Sequence, residues 1–195
     1  KIASTAKIGF SFILAKVFIM VEKARIGHFN VCKKIDRLVM KEGSHIGSWN
    51  QITGFSKDDY FFRKEPDRMC EFVLEENSGI TLRHYIDCNG GIYVGAFTTI
   101  AGTGSQILTH SIDVYENCQR VKPVHIGKYC FLGTKCVVLA GAKLPDYSVL
   151  AAGSVLTRPY TSDKSSVYGG VPAKVVKELD IHDVGYFHRS SFMVE

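Results

Sequence analysis

The sequence predicts a mainly β protein built as a parallel β-helix, because apolar residues recur every six positions. In the stretch 124–156 one column is bulky and consists of Ile126, Leu132, Val138, Leu144, Leu150 and Leu156. A second, mostly small column lies two residues earlier and consists of Val124, Cys130, Cys136, Ala142, Ser148 and Ser154. This period fits neither a helix nor a simple strand. A period of six residues is typical of short strands joined by tight corners. Three such strands form a triangular coil, and each coil rises by about 4.8 Å.

Earlier runs keep the same spacing, with shifts of phase between them. The first run consists of Ile8, Leu14, Met20, Ile26, Cys32 and Leu38. A short run follows at Met40, Ile46 and Ile52. A middle run consists of Leu74, Ile80, Ile86 and Ile92, and it weakens at Thr98 and Gly104. We therefore expect a single β-helical domain over residues 1–171.

Two segments break the spacing and are predicted to leave the β-helix. Residues 56–71, SKDDYFFRKEPDRMCE, are charged and aromatic, which indicates a loop insertion between coils. Gln106 and Ile126 are twenty residues apart, where eighteen would keep the period, so residues 107–123 are expected to bulge outwards as a loop. Residues 172–179 are expected to form a short C-terminal helix, which a tail follows up to residue 195.

Charge, hydropathy and cysteine content exclude several classes of protein. The net charge of +5 is not clustered into runs, so nothing indicates a nucleic-acid partner. The longest apolar stretch, residues 8–21, is interrupted by Lys16 and is too short to span a bilayer comfortably. The six cysteines include no CxxC pair, which favours free thiols over a disulfide framework. We therefore expect a cytoplasmic protein without a membrane span.

Several segments resemble the hexapeptide-repeat acyltransferases. IGKYCFLG, SVLAAGSVLTR and GGVPAKVVKEL are similar to the C-terminal coils and exit segment of that family. ITLRHYIDCNGGIYVG and QILTHSID resemble its central coils, most of all in sugar O-acetyltransferases of the galactoside, maltose and capsule-biosynthesis type. The resemblance covers residues 74–178, and residues 8–55 only by their period. It implies a left-handed β-helix, an exception to the usual right-handed crossover, and a homotrimer with active sites between subunits.

The resemblance matches His110 to the catalytic histidine of the family, in its Thr-His setting. A histidine in a loop on a rigid scaffold can face a substrate, and an imidazole with a pKa of about 6.5 can take a proton at neutral pH. His110 is thus expected to act as the general base of a direct transfer from acetyl-CoA to a hydroxyl of a sugar or polysaccharide precursor. Asp87 and Asp113 are candidates to orient the imidazole. His84 either contacts the acceptor or is a satisfied, stacked histidine.

The resemblance also implies a donor site near the C-terminal coils. Acetyl-CoA would be a co-substrate, and no permanently bound cofactor is expected. The residues that match donor contacts of the family are Phe131, Gly133, Thr134, Ala152, Thr157, Arg158, Lys174 and Lys177. The basic side chains would meet the phosphates of the nucleotide end. A solvated surface remains the alternative for Lys174 and Lys177.

Other functions on the same fold stay open. The same histidine would serve an N-acetyltransferase acting on an amino-sugar. A β-helix metalloenzyme of carbonic anhydrase type would need three convergent histidines for zinc. His84, His110 and His125 are 26 and 15 residues apart, which does not match the close-set pair of that family, and no metal site is predicted. The aromatic residues of the insertion, Tyr60 to Phe62, either line an acceptor groove or pack against a neighbouring subunit.

Overall fold

The computed structural model describes residues 1–194, and its regular structure is almost entirely β-strand. In the N-terminal part the strands are β1 (Lys7–Ile8), β2 (Phe12–Met20), β3 (Arg25–Ile26), β4 (Val31–Met40), β5 (His45–Ile46), β6 (Gln51–Thr53), β7 (Glu71–Leu74), β8 (Gly79–Leu82), β9 (Tyr85–Asp87) and β10 (Ile92–Val94). In the C-terminal part they are β11 (Thr99–Thr103), β12 (Gln106–Leu108), β13 (His110–Asp113), β14 (Cys118–Val121), β15 (Val124–Ile126), β16 (Phe131–Leu132), β17 (Val137–Val138), β18 (Lys143–Leu144), β19 (Val149–Leu150), β20 (Val155–Leu156), β21 (Ser166–Gly169) and β22 (Lys174–Glu178). Short 3₁₀ helices cover Tyr60–Phe62, Ile181–Asp183 and Gly185–His188.

The strands stack into a parallel β-helix with three faces. The first face is one sheet in the order β1-β3-β5-β8-β11-β16-β19-β21-β22. The second and third faces are joined by the long strand β4, whose start pairs with β6 and whose end pairs with β7. From there the second face continues as β6-β9-β12-β17-β20 and the third as β7-β10-β15-β18. Successive strands visit the three faces in turn, which confirms the mainly β, parallel β-helical fold that the sequence predicts.

The two columns of the repeat fill the interior. Every member of both columns between residues 124 and 156 is buried, and parallel pairing places like residues side by side, as with Leu132 and Leu150. The small column leaves room for the backbone at the corners, where the Cys130 thiol donates to the carbonyl oxygen of Pro145 at 2.9 Å. The buried apolar residues form one cluster that extends from Met20 to Ala173.

The first run of the repeat predicts interior positions that are only partly confirmed. Its later members, from Met20 onwards, are buried, whereas Ile8 and Leu14 are 43% and 57% exposed. Leu14 of β2 lies beside the exposed Lys33 of β4, while Ile13 takes the inward position beside the buried Cys32. Leu14 and Met20 are six residues apart, so a strictly alternating strand would place both on the same face. The phase changes because the pairing of β2 with β4 shifts register between Leu14 and Ala15, where Lys34 of β4 has a positive φ of 57°.

Both segments that break the repeat leave the β-helix at the corner between the second and third faces. Residues 54–70 connect β6 to β7, and residues 109–123 connect β12 to β15. The second segment is an antiparallel hairpin of β13 and β14 rather than an irregular loop. The Arg120 guanidinium of the hairpin pairs with Glu65 of the first segment at 3.3 Å. The two segments therefore form one structure over the same corner.

The short helix expected over residues 172–179 is a strand, so that expectation is wrong. Lys174–Glu178 form β22, which pairs antiparallel with β21 at the end of the first face. Val175 and Val176 are β-branched and favour a strand once a sheet edge is available for pairing.

The tail after β22 folds back along the first face. The Tyr186 hydroxyl donates to the carbonyl oxygen of Cys130 at 3.0 Å, and the ring of Phe192 stacks on that of His45 at 5.0 Å between centroids. The tail therefore packs against its own chain. None of the helices within residues 1–194 has the length and apolar character needed to cross a membrane.

Candidate active site

The candidate site lies at the corner between the second and third faces, where two neighbouring coils present polar residues. β9 and β12 are parallel neighbours on the second face, with Asp87 in register with Leu108. Residues that follow these two strands therefore emerge side by side. The first coil supplies Asp87 and Asn89, and the second supplies Thr109 and His110.

His110 and Asp87 form a close pair at this corner. The imidazole Nδ1 of His110 lies 2.5 Å from Oδ2 of Asp87. The Asp87 side chain is only 2% exposed, whereas that of His110 is 34% exposed. Because Nδ1 faces the carboxylate, Nδ1 is the nitrogen that carries the proton in the neutral ring. Nε2 has no hydrogen-bond partner within residues 1–194, and it is the atom left to accept a proton from a substrate.

Backbone and amide donors fix the Asp87 carboxylate in place. The backbone N–H groups of Thr109 and His110 donate to Oδ2 at 3.0 and 3.2 Å. The side-chain amide of Asn89 donates to Oδ1 at 2.5 Å. The Thr109 hydroxyl donates to the backbone carbonyl of Asp87 at 2.7 Å and accepts from the Gly90 N–H at 2.8 Å. These contacts hold the two coils together and fix the orientation of the carboxylate that faces His110.

The insertion over residues 54–70 forms a wall beside the imidazole. Phe62 is buried, and its ring meets the His110 ring edge-to-face at 5.7 Å between centroids. The guanidinium of the buried Arg68 lies 4.4 Å from the Phe62 ring centre and donates to the carbonyl oxygens of Phe55 at 3.0 Å and Asn89 at 3.3 Å. The insertion thus packs against the site of its own chain through Phe62.

The environment of His110 makes it a stronger base than a free imidazole. The hydrogen bond to Asp87 raises the pKa of His110 above its ordinary value, while burial and the positive charge of Arg68 act in the opposite direction. The carboxylate favours the imidazolium because it stabilises the positive charge directly. Proton uptake at Nε2 is therefore assisted by Asp87.

Two of the predicted site residues, His84 and Asp113, make structural contacts away from the imidazole of His110. His84 is buried, its Nδ1 accepts from the Ser105 N–H at 3.2 Å, and its Nε2 lies 3.1 Å from the Thr81 hydroxyl. Burial lowers the pKa of His84 to about 4, so the ring is a neutral, satisfied histidine between coils and does not face an acceptor. Asp113 lies at the turn of the hairpin and accepts from backbone N–H groups there. It is too far along β13 to orient His110.

The sequence reasoning missed Asn89 and Arg68. Asn89 lies two residues after Asp87 and directly before Gly90 and Gly91. A second polar side chain at this corner is the sequence feature that points to it. Arg68 carries no such signal, because its contact with the carbonyl of Asn89 joins residues 21 positions apart through an irregular insertion.

The three histidines considered for zinc do not converge. His84 is buried between coils, His110 pairs with Asp87, and His125 stacks on Tyr93 of the third face at 4.8 Å between ring centroids. Within residues 1–194, no group of three or more histidine, cysteine or acidic residues is arranged to hold a metal ion.

Sequence comparison finds relatives over part of the chain. No protein-family profile matches it. A predicted acetyltransferase of Staphylococcus aureus is 34% identical over 80 residues, which are 40% of this chain and 39% of that protein. The galactoside O-acetyltransferase of Escherichia coli is 31% identical over 67 residues, which are 34% of this chain and 32% of that enzyme. Each match therefore spans less than half the length of the relative.

The fold is also similar to a solved acetyltransferase structure. A hexapeptide-repeat-containing acetyltransferase of Vibrio cholerae superposes with a TM-score of 0.52 and 24% identity, over 56% of this chain and 63% of that one. The resemblance to hexapeptide-repeat acetyltransferases is confirmed. This structure shows the likeness of the fold, and the sequence matches show similarity to acetyltransferases over part of the chain.

The residues that the sequence resemblance predicts as donor contacts lie on the last coils of the β-helix. Phe131 begins β16 of the first face, and Gly133, Thr134 and Ala152 follow strands of that face at its edge with the second face. A side chain at Gly133 would come within 2.7 Å of the Ala152 backbone nitrogen, so this edge stays flat. The Phe131 ring meets that of Tyr186 in the tail at 5.7 Å.

The remaining donor candidates are exposed cationic or hydroxyl groups. Thr157 and Arg158 follow β20 and lie at the same edge as His110, farther along the prism. The Arg158 guanidinium lies 5.1 Å from the Tyr160 ring centre. Lys174 and Lys177 are exposed on β22, a strand rather than the expected helix. In a single chain the donor candidates are therefore not gathered around His110.

Proposed function

We propose that this chain transfers an acetyl group from acetyl-CoA to a hydroxyl of a sugar-like acceptor, with His110 as general base. The observation that carries the proposal is the contact between His110 Nδ1 and the buried Asp87, which leaves Nε2 available at an exposed corner. The sequence match to galactoside O-acetyltransferase supports the reaction class. Because acetyl-CoA is made inside cells, the proposal implies that the protein works in the cytoplasm.

In the proposed mechanism the acetyl group moves directly, without an acyl-enzyme. The neutral imidazole takes the hydroxyl proton at Nε2 while the acceptor oxygen attacks the thioester carbonyl carbon. Asp87 holds the Nδ1 proton and stabilises the imidazolium that forms. The tetrahedral intermediate then breaks its carbon–sulfur bond, and the departing thiolate takes the proton from the imidazolium. The products are the acetyl ester and free coenzyme A, so acetyl-CoA is consumed and no cofactor stays bound.

The proposal also includes a homotrimer with active sites between subunits. His110 lies at the edge between the second and third faces, whereas Gly133, Thr134 and Ala152 lie at the edge between the first and second. These two edges of one prism cannot meet, but an edge of one copy can meet the other edge of a neighbour. A cyclic arrangement of copies would repeat this contact. Acetyl-CoA would then lie between two chains, with its thioester near His110.

The decisive experiment supplies acetyl-CoA together with a panel of sugars and follows the release of free thiol. We expect native protein to release thiol with at least one acceptor, and His110→Ala to lower kcat by about 10²–10⁴-fold, the usual contribution of a positioned base. His182→Ala, at an exposed histidine of the tail, is the matched control and should keep the native rate.

The product of the same reaction separates oxygen from nitrogen acylation. An acetyl ester is hydrolysed by mild alkali, whereas the amide formed on an amino-sugar is stable under those conditions. Equal thiol release from native protein and His110→Ala, or no release with any acceptor, would overturn the proposed function.

A further inference from the structure

A cavity of about 470 Å³ opens on the second face, next to the candidate site. We call it the basic groove. Its walls come from three neighbouring strands and the start of the insertion, and they consist of Val31, Lys33, Lys34, Gln51, Thr53, Gly54, Phe55 and Tyr85. Pockets that hold small ligands measure about 300–1,000 Å³, so the groove has room for one or two sugar rings.

The basic groove is connected by strand pairing and side-chain contacts to the corner that holds His110. Thr53, at its floor, is in register with Asp87 on the neighbouring strand. The backbone N–H of Phe55 donates to the side-chain oxygen of Asn89 at 2.8 Å. The Phe55 ring also packs against Phe62 at 5.8 Å between centroids, and Phe62 in turn meets the His110 ring. A molecule in the groove therefore lies about two strand spacings, or about 10 Å, from the imidazole.

The polar groups of the basic groove are suited to a hydroxylated ligand that carries a negative charge. The Tyr85 hydroxyl lies 3.4 Å from that of Thr53, and both can bond sugar hydroxyls. Lys33 and Lys34 form no ion pair within residues 1–194. Asp36, the next acidic residue in the chain, is already paired with Lys16 at 2.8 Å.

The Lys34 ammonium lies 5.5 Å from the Phe55 ring centre. Lys33 and Lys34 both line the cavity and form no ion pair within residues 1–194, although Asp36 and Asp59 line a neighbouring cavity together with Lys34. Two unpaired lysines beside one cavity attract an anion.

We infer that the basic groove binds the acceptor and that this acceptor is an acidic sugar, whose carboxylate or phosphate meets Lys33 and Lys34. The inference rests on the proposed function, because it places a hydroxyl of the same molecule at His110. The distance between the lysines and the imidazole means that the acidic group and the acylated hydroxyl are separated by the body of the sugar. The lysines fix the orientation of the acceptor and take no part in the acyl transfer.

The test compares matched acceptors that differ only in charge. The pairs are galacturonic acid with galactose and glucuronic acid with glucose, and galactose 6-phosphate distinguishes phosphate from carboxylate. We expect kcat/KM for an acidic member to exceed that of its neutral partner by about tenfold, as charged hydrogen bonds imply, and the difference to shrink at high salt. The double variant Lys33→Gln/Lys34→Gln should lose this preference through a higher KM for the acidic acceptors.

Lys7→Gln is the matched control, since Lys7 is exposed on the first face and unpaired within residues 1–194. Direct binding of galacturonate, measured by calorimetry without acetyl-CoA, should be weakened by the double variant alone. Acidic and neutral sugars that react and bind equally would overturn the inference while leaving the proposed function intact. A KM for acetyl-CoA that rises with every acceptor in the double variant would also overturn it, because the lysines would then serve the donor. Transfer to no sugar at all would remove both proposals.

Discussion

At the scale of single residues, Asp87 decides how strongly His110 binds a proton. Its carboxylate accepts from Asn89, Thr109 and the backbone of His110, so it is held rigidly and cannot turn away from the imidazole. A carboxylate fixed in this way selects the tautomer with the proton on Nδ1 and supports the cation that forms during transfer. The contact between His110 and Asp87 therefore indicates a role in proton transfer, which neither residue would indicate alone.

The pH dependence of Asp87→Asn tests this coupling. Asp87 raises the pKa of His110, and only the neutral imidazole can act as base, so native kcat/KM should rise with pH through that pKa and level off above it. Without the carboxylate the pKa falls, so the rising limb should move to lower pH. The plateau should drop by about tenfold or more, since an unoriented base loses part of its contribution.

The measurement is the pH profile of kcat/KM for native protein and Asp87→Asn, with thermal unfolding as a check on folding. A variant that folds normally and keeps the native position of the rising limb would show that Asp87 does not act through His110.

At the scale of elements, the insertion over residues 54–70 supports the site. Phe62 is buried between the His110 ring and the guanidinium of Arg68, whereas its neighbour Phe61 is 61% exposed. Neighbouring phenylalanines with opposite exposure provide a matched comparison. Phe62→Ala should lower kcat by about tenfold, because a buried phenylalanine removed from a wall leaves a cavity beside the base. Phe61→Ala should retain the native rate.

Limited trypsin digestion gives a second measurement of the same prediction. Arg63, Lys64 and Arg68 lie within the insertion, and Phe62→Ala should speed cleavage there because the segment loses its main anchor. Equal rates and equal digestion for the two alanine variants would contradict a supporting role for Phe62.

The elements also show where sequence reasoning succeeds and where it fails. The columns from Ile126 to Leu156 could be read directly, because each corner resets the phase after six residues. The first run predicts Leu14 in the interior, whereas Ile13 takes that position, because the register of β2 with β4 shifts between Leu14 and Ala15 and the sequence does not reveal this shift. The sequence predicts a helix over residues 172–179, because nothing in that segment reveals that the edge of β21 is free to pair.

The candidate site also combines residues that the sequence predicts with residues that only the structure places beside His110. His110 could be predicted because the repeat breaks around it and its Thr-His setting resembles the family, and Asp87 is one of two candidate aspartates beside Asp113. The pairing of β9 with β12 is what brings Asp87 to His110. Arg68 and Phe62 come from an irregular insertion, whose path over the corner depends on tertiary packing. Their position beside the imidazole therefore required the structure.

At the scale of the whole molecule, His110 and the donor candidates Gly133, Thr134 and Ala152 lie on different edges of the β-helix, so the proposed function makes activity depend on the oligomeric state. Sedimentation equilibrium should give a mass three times the 21.7 kDa of the chain.

Complementation tests whether the active sites are shared. His110→Ala lacks the base, and Ala152→Trp should block the flat donor edge, so each variant alone should be inactive. When the two are refolded together, random assembly should restore about a quarter of the native activity, because a fraction of the contacts combines an intact His110 with an intact donor edge from the neighbour. A monomeric mass, or mixtures as inactive as the separate variants, would contradict shared sites and would require donor and base to meet within one chain.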